Sequence, residues 1–197
     1  MLFDTYPHTL SAFCETMRRH GRAVSPDEAY KKMKITLWDA FRFYGVDDAF
    51  IKEFYAVEND LDFQPEGRPF DGVPALLRSV FDRGGRHFLY THRDKVAYTY
   101  LARYGLAGLF SGGVTAEDGF PHKPAPDALA HILSTYGLKK EETLMLGDRL
   151  IDIGAGKNAG VRACLFDPDG NFTARDADFY CRDVPALAAL IKNFEIL

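Results

Sequence analysis

The segment 143–160, TLMLGDRLIDIGAGKNAG, places two aspartates directly after a short apolar run. Residues 143–146 are bounded by turn formers, a pattern typical of a parallel strand buried on both faces. Gly147 would free the backbone to turn, Asp148 stands where the strand ends, and Asp152 follows as a helix begins. Carboxylates at this edge suit Mg²⁺, which combines few protein carboxylates with water and substrate phosphate. The alternative is an ordinary loop turn and helix N-cap.

Two further polar segments could bind an anion. Thr91, His92 and Arg93 follow a predicted strand, and a hydroxyl with backbone N–H groups near a helix start can bind phosphate oxygens. Taken alone, Thr91 would more often be a helix N-cap. Lys123 stands in the loop 122–127, HKPAPD, whose prolines stiffen the approach to a helix. Such a loop can direct one ammonium group toward an anion, although an exposed, solvated lysine is the simpler alternative.

Alternating helices and strands position these segments. From residue 71 onward the pattern alternates between the two, which predicts a parallel sheet with helices on both faces. Right-handed crossovers would bring the loops after Thr91 and Leu146 to the same edge. The predicted elements are helices at 72–83, 94–104, 126–136, 152–159 and from 184, and strands at 87–91, 112–115, 143–147, 161–166 and 178–181.

The preceding part of the chain, residues 8–64, has the periodicity of amphipathic helices. Gly21 and Gly45 separate three predicted helices, at residues 9–20, 26–44 and 47–62. The second has a clear start, because a capping serine, a proline at the first helical position and acids in the first turn follow one another at 25–28. The run PEGRP at 65–69 predicts the exit from this helical part.

Composition restricts the class of protein. With 197 residues the chain fits one domain, or a core with a modest insertion, and its net charge of −4 and pI near 5.9 make nucleic acid an unsuitable partner. Cys14, Cys164 and Cys181 are odd in number and far apart, which argues against a disulfide framework or a zinc site and fits a reducing cytosol. No signal peptide or transmembrane run is visible, so a cytoplasmic protein without a membrane partner is predicted.

In combination, the three polar segments resemble motifs of the haloacid dehalogenase superfamily. They occur in the order strand-T at Thr91, K-P-x-P-[DE] from Lys123, and G-D-x-x-x-D at 147–152. The N-A-G at 158–160, the P-F-D-G-V at 69–73 and the helical block before it look like the phosphoglycolate-phosphatase-like branch with a small helical cap. The resemblance covers nearly the whole chain, and its motifs are specific in combination.

The resemblance implies an α/β fold in which a three-layer, Rossmann-like parallel sheet carries a small all-helical cap. The core would comprise residues 1–7 and 69–197, and the cap residues 8–68. The implied activity is that of a Mg²⁺-dependent phosphatase of small phosphorylated metabolites, which transfers the phosphoryl group to an aspartate and then hydrolyses the aspartyl-phosphate. A second aspartate, two residues after the nucleophile, normally protonates the leaving group in this family.

The resemblance also implies roles for individual residues. Thr91 would bind the substrate phosphate, with His92 and Arg93 as neighbouring substrate contacts. Lys123 would neutralise the nucleophile and the transferring phosphoryl group. Asp148 would bind Mg²⁺, and Asp152 would support either the metal site or Lys123.

The family's first motif, D-x-D-G-T after an apolar strand, is absent from the sequence. Asp4 cannot replace the nucleophile, because Tyr6 stands where the acid is required and too few residues precede Asp4 for a buried strand. A better register matches residues 2–5, LFDT, with the L-x-D-[ST] that commonly follows D-G-T. Both catalytic aspartates are therefore expected upstream of Met1, through a misplaced start or a shortened chain.

This departure has a structural consequence. In the family the first strand lies in the middle of the sheet, between the strands that here end at Thr91 and Leu146. Without it, two strand edges lose their hydrogen-bond partner, and unpaired buried backbone groups are costly. The sequence therefore predicts a core that lacks its central first strand.

Two other functions stay open. The chain could be a catalytically inactive relative that binds a phosphorylated ligand or a protein partner, or it could be a dehalogenase, although Asp148 and Lys123 favour metal-assisted phosphate chemistry. Substrate identity and oligomeric state are not readable from the sequence. Four residues of the helical part could reach the site, and each has an ordinary packing or surface explanation: Tyr6, His8, Trp38 and Arg42.

Overall fold

The computed structural model describes residues 2–60, 68–173 and 176–194. The chain forms two compact units, one comprising Leu2–Pro69 and the other running from Phe70 to the C-terminus. Residues 2–7, which the sequence assigned to the α/β core, are grouped with the helices. The reason lies in a short antiparallel pairing, in which β1 (Phe3–Asp4) lies beside β2 (Arg68–Pro69) at the other end of the same unit.

Four helices form the first unit around a core of aromatic rings. They are α1 (Tyr6–Arg19), α2 (Pro26–Ile35), α3 (Leu37–Tyr44) and α4 (Asp48–Glu58). Phe13 lies at the centre, fully buried, with the rings of Phe41, Phe50 and Phe54 at centroid distances of 6.2, 5.5 and 6.3 Å. The predicted start of α2 is confirmed, because the Ser25 hydroxyl accepts a hydrogen bond from the Glu28 N–H.

The prediction of one continuous helix over residues 26–44 is wrong. Thr36 breaks it with an extended backbone at φ −153° and ψ 158°. Its hydroxyl then accepts a hydrogen bond of 3.0 Å from the Asp39 N–H and so caps α3. Part of the next predicted helix, residues 61–62, and residues 65–67 of the predicted exit lie outside the described residues.

The second unit alternates helices and strands as predicted. Its elements are α5 (Val73–Asp82), β3 (His87–Tyr90), α6 (Val96–Arg103), β4 (Phe110–Val114), α7 (Asp127–Thr135), β5 (Leu144–Gly147), α8 (Leu150–Ala159), β6 (Arg162–Phe166), β7 (Phe179–Cys181) and α9 (Val184–Phe194). Each predicted boundary lies within two residues of the observed one.

The strands of this unit form two parallel pieces. β3 pairs with β4, while β5 pairs with β6 and β6 with β7. Among the described strands, none pairs with the other edge of β3 or of β5. The two pieces share a helical covering, because α7 contacts β3, β4 and α8, and α8 contacts β5 and β6.

Strand β6 shows the layering of the unit. Its residues Ala163, Cys164, Leu165 and Phe166 are at most 1% exposed. Ala163 and Leu165 belong to an apolar cluster with α7 and α8, whereas Cys164 and Phe166 belong to a cluster with Leu187 of α9. The strand is therefore covered on both faces, which confirms the predicted α/β class with helices on either side of parallel strands.

The cysteines and the hydropathy of the helices can be compared with the predictions from composition. Cys14, Cys164 and Cys181 are free thiols, and the Sγ atoms of the latter two are 3.9 Å apart. Burial raises the pKa of the Cys164 thiol. None of the helices in the described ranges combines the length and the hydropathy that crossing a bilayer requires.

Candidate functional site

Lys123 is buried at the centre of the candidate site. Its ammonium donates to Asp152 Oδ1 at 2.8 Å and to the Tyr90 backbone carbonyl at 3.0 Å, and it lies 4.0 Å from the centroid of the Tyr90 ring. The side chains of Lys123 and Asp152 are each 4% exposed. The simpler alternative, a solvated surface lysine, is therefore wrong. The pair connects the end of β3 with the first turn of α8.

The loop that carries Lys123 is anchored on α8. The Asn158 side chain donates to the Pro124 carbonyl at 2.9 Å. Gly154 permits the close approach, since a Cβ there would stand 2.7 Å from Pro124 Cβ. Within the loop the Ala125 N–H donates to the His122 carbonyl, and the Lys123–Pro124 peptide bond is cis. Two residues of α8 thus hold the lysine loop against the helix that also carries Asp152.

Asp152 has both carboxylate oxygens engaged. Oδ1 accepts from Lys123, and Oδ2 accepts the Arg149 N–H at 3.1 Å, with Arg149 Nε 3.9 Å away. Arg149 is the N-cap of α8, so Asp152 closes the first turn in the manner of a capping box. The predicted N-cap role of Asp152 therefore belongs to Arg149.

Gly147 is required for a reason that differs from the predicted one. It is not among the glycines with a positive φ, so the turn itself does not need it. A Cβ at Gly147 would instead stand 2.1 Å from Asp152 Cβ and 2.7 Å from Asp152 Oδ2. The strand end is bare so that the Asp152 side chain can pack directly over it. Asp148 follows at the carboxyl end of β5.

Thr91 follows the carboxyl end of β3, where its N–H donates to the Val114 carbonyl at 3.0 Å. Its hydroxyl oxygen accepts from the Arg93 N–H at 3.0 Å. Among the described residues, the Thr91 hydroxyl has no hydrogen-bond acceptor for its own proton. The geometry thus leaves a hydroxyl donor at this strand end.

The expected phosphate-binding N–H groups of the following helix are already used. Helix α6 begins at Val96, and Lys95 rather than Thr91 is its N-cap. The Lys95 N–H donates to Glu117 Oε1 at 3.2 Å, and the Val96 N–H donates to Asp94 Oδ1 at 3.1 Å. Together with the Arg93 N–H, three backbone donors of this loop are satisfied internally. These three N–H groups are therefore not free to donate to a phosphate, a role that the sequence had predicted for the start of this helix.

His92 is built into the site through its ring. Its Nε2 accepts the Lys123 backbone N–H at 3.0 Å, and its ring lies 4.7 Å from that of His122 in a T-shaped arrangement. Burial, together with the charges of Lys123, Arg149 and His122, lowers the pKa of His92 to about 4, while the charge of Asp152 acts in the opposite direction. Arg93, by contrast, places its guanidinium 5.7 Å from the centroid of the Tyr100 ring.

The structure therefore brings Lys123, Asp152 and His92 into one bonded cluster, and it places Thr91 and Asp148 at the ends of β3 and β5. Over residues 2–60, 68–173 and 176–194, no group of three or more His, Cys, Asp or Glu side chains is arranged to hold a metal ion. A Mg²⁺ ion coordinated by Asp148, water and substrate phosphate needs no such group. Both Asp152 oxygens already accept hydrogen bonds, Oδ1 from Lys123 and Oδ2 from the Arg149 N–H.

Three residues of the site were given no role by the sequence. The Arg149 backbone could have been anticipated from the spacing to Asp152, which is that of a capping box. Asn158 was noted only as part of N-A-G, and its bond to the loop depends on tertiary packing. Tyr90 contributes a backbone carbonyl and a ring face, for which the sequence offers no signal.

Comparison with known proteins supplies the family. Residues 1–166 match the family model described as haloacid dehalogenase-like hydrolase. Among curated proteins, the chain is 31% identical over 128 residues to the pyrophosphatase PpaX of Halalkalibacterium halodurans, which covers 62% of this chain and 60% of that protein. It is 30% identical over 135 residues to a 5'-nucleotidase of Pseudomonas aeruginosa, covering 65% of this chain and 60% of that protein.

A third relative and two solved structures extend the comparison. A phosphoglycolate phosphatase of Cupriavidus necator is 28% identical over 130 residues, covering 64% of this chain and 56% of that protein. The chain thus spans 56 to 60% of the length of these three relatives. A haloacid dehalogenase-like hydrolase of Bacteroides fragilis superposes with a TM-score of 0.81 at 21% identity, covering 95% of this chain and 94% of the other. A haloacid dehalogenase-like family hydrolase of Streptococcus pneumoniae has a TM-score of 0.80 at 15% identity, covering 97% and 93%.

Proposed function

This chain belongs to the haloacid dehalogenase-like hydrolases, and on that premise we propose that it carries the phosphate site of a Mg²⁺-dependent phosphatase of small phosphorylated metabolites. The relatives named a pyrophosphatase, a 5'-nucleotidase and a phosphoglycolate phosphatase support a phosphorylated substrate. The free thiols are compatible with a cytoplasmic location, which is part of the proposal.

The observation that carries the proposal is the buried ion pair of Lys123 and Asp152. Removing an ammonium from water is costly, and here its bonds to Asp152 and to the Tyr90 carbonyl offset that cost. Its electric field is stronger where the dielectric is low. Its Nζ reaches the end of β3 through the Tyr90 carbonyl, which immediately precedes Thr91. A phosphate near this strand end would meet one hydroxyl donor and one ammonium. That combination suits a dianionic phosphoryl group.

The proposed chemistry has two steps. An aspartate carboxylate attacks phosphorus, the P–O bond to the alcohol breaks, and the leaving oxygen takes a proton from a second aspartate two residues later; water then hydrolyses the aspartyl-phosphate, which releases inorganic phosphate and restores the carboxylate. Mg²⁺ held by Asp148 would supply charge neutralisation. Lys123 would neutralise further charge, Asp152 would hold Lys123, and Thr91 would donate to a phosphate oxygen. Residues 1–197 contain no D-x-D-G-T motif to provide the nucleophile, so turnover requires that it be supplied in addition.

A phosphatase assay tests the proposal. Protein expressed from the gene with all in-frame codons upstream of Met1 should release phosphate from p-nitrophenyl phosphate in the presence of Mg²⁺. Lys123→Ala should abolish that release. The matched control is Lys139→Ala, because Lys139 is an exposed lysine whose ammonium contacts only the exposed Glu142 among the described residues. Unchanged turnover in Lys123→Ala would refute the role given to this lysine.

A non-catalytic relative that binds a phosphorylated ligand is the second candidate, because the Thr91 hydroxyl and the Lys123 ammonium suit phosphate binding whether or not a nucleophile is present. It predicts no turnover even for the longest in-frame product, together with an increase in Tm on adding inorganic phosphate. Thermal-shift measurements run beside the phosphatase assay separate the two candidates. Halide release without Mg²⁺ would instead support a dehalogenase, which the Lys123 and Asp148 arrangement favours least.

A further inference from the structure

We propose that His92 is a positioning residue, which fixes the backbone of Lys123 through its Nε2 atom and does not contact the substrate. The kinetic part of this inference rests on the proposed phosphatase function. Its structural part does not, since it concerns a hydrogen bond between two loops of this chain.

Lys123 is held at both ends. At the tip, the ammonium bonds to Asp152 and to the Tyr90 carbonyl. At the root, the backbone N–H bonds to His92 Nε2 at 3.0 Å. A lysine has a flexible four-carbon stem, so fixing only the ammonium would leave several conformations of the loop. The bond at the root removes that freedom and sets where the stem begins.

His92 also links the two anion-binding groups. It directly follows Thr91, the hydroxyl donor at the end of β3. Through its ring the segment after β3 is therefore bonded to the loop that carries the ammonium, across 31 positions of sequence. Catalytic geometry depends on such spacing, because misplacement by about 1 Å can reduce a rate by about a hundredfold. A ring that sets this spacing contributes without touching the substrate.

The contact requires a neutral imidazole. Nε2 accepts a hydrogen bond from the Lys123 N–H and so carries no proton itself. The ring proton of the neutral His92 is therefore assigned to Nδ1. The charged and titratable groups around the ring are the cations Lys123 and Arg149, the second imidazole of His122, and the carboxylate of Asp152. Protonation would remove the acceptor and add a positive charge beside two cations. This environment is built for an acceptor and disfavours a charged histidine that would bind phosphate.

Substitutions that keep or remove the acceptor test the inference. His92→Gln places an amide oxygen near the position of Nε2, whereas His92→Phe keeps a ring and removes the acceptor. His131 on α7 provides the matched control, because its ring lies beside Phe120 at 5.0 Å and it is exposed. In protein expressed with all in-frame codons upstream of Met1, we expect His92→Phe to lower kcat for p-nitrophenyl phosphate by about tenfold or more, with KM little changed. His92→Gln and His131→Phe should stay within about threefold of the parent protein.

A measurement without turnover tests the same bond. In ¹H–¹⁵N NMR spectra, the Lys123 amide proton should shift upfield in His92→Phe and return toward the parent value in His92→Gln. The imidazole ¹⁵N shifts of the parent protein should show a proton on Nδ1 and a bare Nε2. If no variant or parent shows turnover, the proposed function fails, and these spectra still decide the positioning role.

Three results would overturn the inference. The first is a His92→Phe protein with parental kcat and an unmoved Lys123 amide resonance. The second is a raised KM with unchanged kcat in His92→Gln, which would indicate direct substrate contact. The third is a parent spectrum with a proton on Nε2. If His92→Phe does not fold by circular dichroism, His92→Leu replaces it and the imidazole spectrum of the parent stands as the deciding measurement.

Discussion

In the α/β unit, the connections within each of the two strand pieces differ in kind from the connections between the pieces. Within each piece, parallel ladders join β3 to β4 and join β5, β6 and β7. Between β3 and β5 the described strands form no ladder. Polar connections that bridge that boundary include side-chain bonds of the candidate site, from Lys123 to Asp152 and to the Tyr90 carbonyl, and from Asn158 to the Pro124 carbonyl.

The groups to which we assign the proposed chemistry therefore also hold the two strand pieces together. A backbone ladder tolerates most side-chain changes, because its bonds belong to the main chain. A boundary bridged by side chains is sensitive to each substitution there. Stability measurements on site variants should therefore distinguish the two kinds of connection.

The largest effect is expected from breaking the buried ion pair. Asp152→Ala leaves the Lys123 ammonium buried without its carboxylate and should lower the free energy of unfolding by about 3–5 kcal/mol. Urea denaturation measures this. The control Glu142→Ala breaks a pair whose side chains are each 64% exposed, and it should cost less than about 1 kcal/mol.

A compensated double variant sharpens that prediction. Lys123→Met combined with Asp152→Leu removes both charges and should recover a large part of the loss, because uncompensated charge and not lost attraction dominates the cost. Equal loss in the double and the single variant would indicate that the boundary depends on the ion pair itself.

The next effect concerns the close packing of Asp152 over the end of β5. Gly147→Ala places a Cβ 2.1 Å from Asp152 Cβ, so the side chain must move, at a cost of about 1–3 kcal/mol. Gly108→Ala is the matched control, because a Cβ there meets nothing within 4 Å. Thermal denaturation should show a clear drop in Tm for the first variant and little change for the second. Equal Tm values would mean that Asp152 has another accessible position.

A smaller effect is expected at the anchor of the lysine loop. Asn158→Ala removes the bond to the Pro124 carbonyl, which is exposed to solvent, and should cost about 1 kcal/mol or less in unfolding free energy. Asn193→Ala, at an exposed position of α9, is the control and should be neutral. Amide hydrogen exchange should report faster opening of residues 122–126 in Asn158→Ala alone. Unchanged exchange there would assign the anchoring to Gly154 packing.

Much of the fold follows from the sequence because its signals are local. The apolar run before Gly147 and the capping group at Ser25 are each determined by neighbouring residues, and the structure confirms a strand and a helix start there. The break at Thr36 was not predicted. A threonine within a helical pattern can either continue the helix or cap the next one, and the sequence does not distinguish the two roles. Family motifs placed Thr91 and Lys123 at strand and loop positions that could be recognised.

The internal connections of the site could not be predicted in the same way. The Tyr90 carbonyl is a main-chain group and carries no sequence identity. The role of Gly147 depends on how closely Asp152 approaches it, and the role of His92 depends on a loop that follows 31 positions later. Each is a tertiary contact between distant segments, for which a single sequence provides composition but not geometry.

The last and smallest effect is a pH dependence from His92. Its pKa in the folded protein is about 4, lowered from 6.5 chiefly by burial. Between these values the unfolded chain binds more protons than the folded one, so the free energy of unfolding falls as the pH falls from 6.5 toward 4. Because solvent reaches part of the ring, the contribution should stay below about 1 kcal/mol. Urea denaturation at both ends of this range, for the parent protein and for His92→Gln, isolates it, since His87, whose pKa is also lowered by burial, is present in both. The parent should lose more stability than His92→Gln on acidification, and parallel losses would mean that His92 is protonated equally in the folded and unfolded chains.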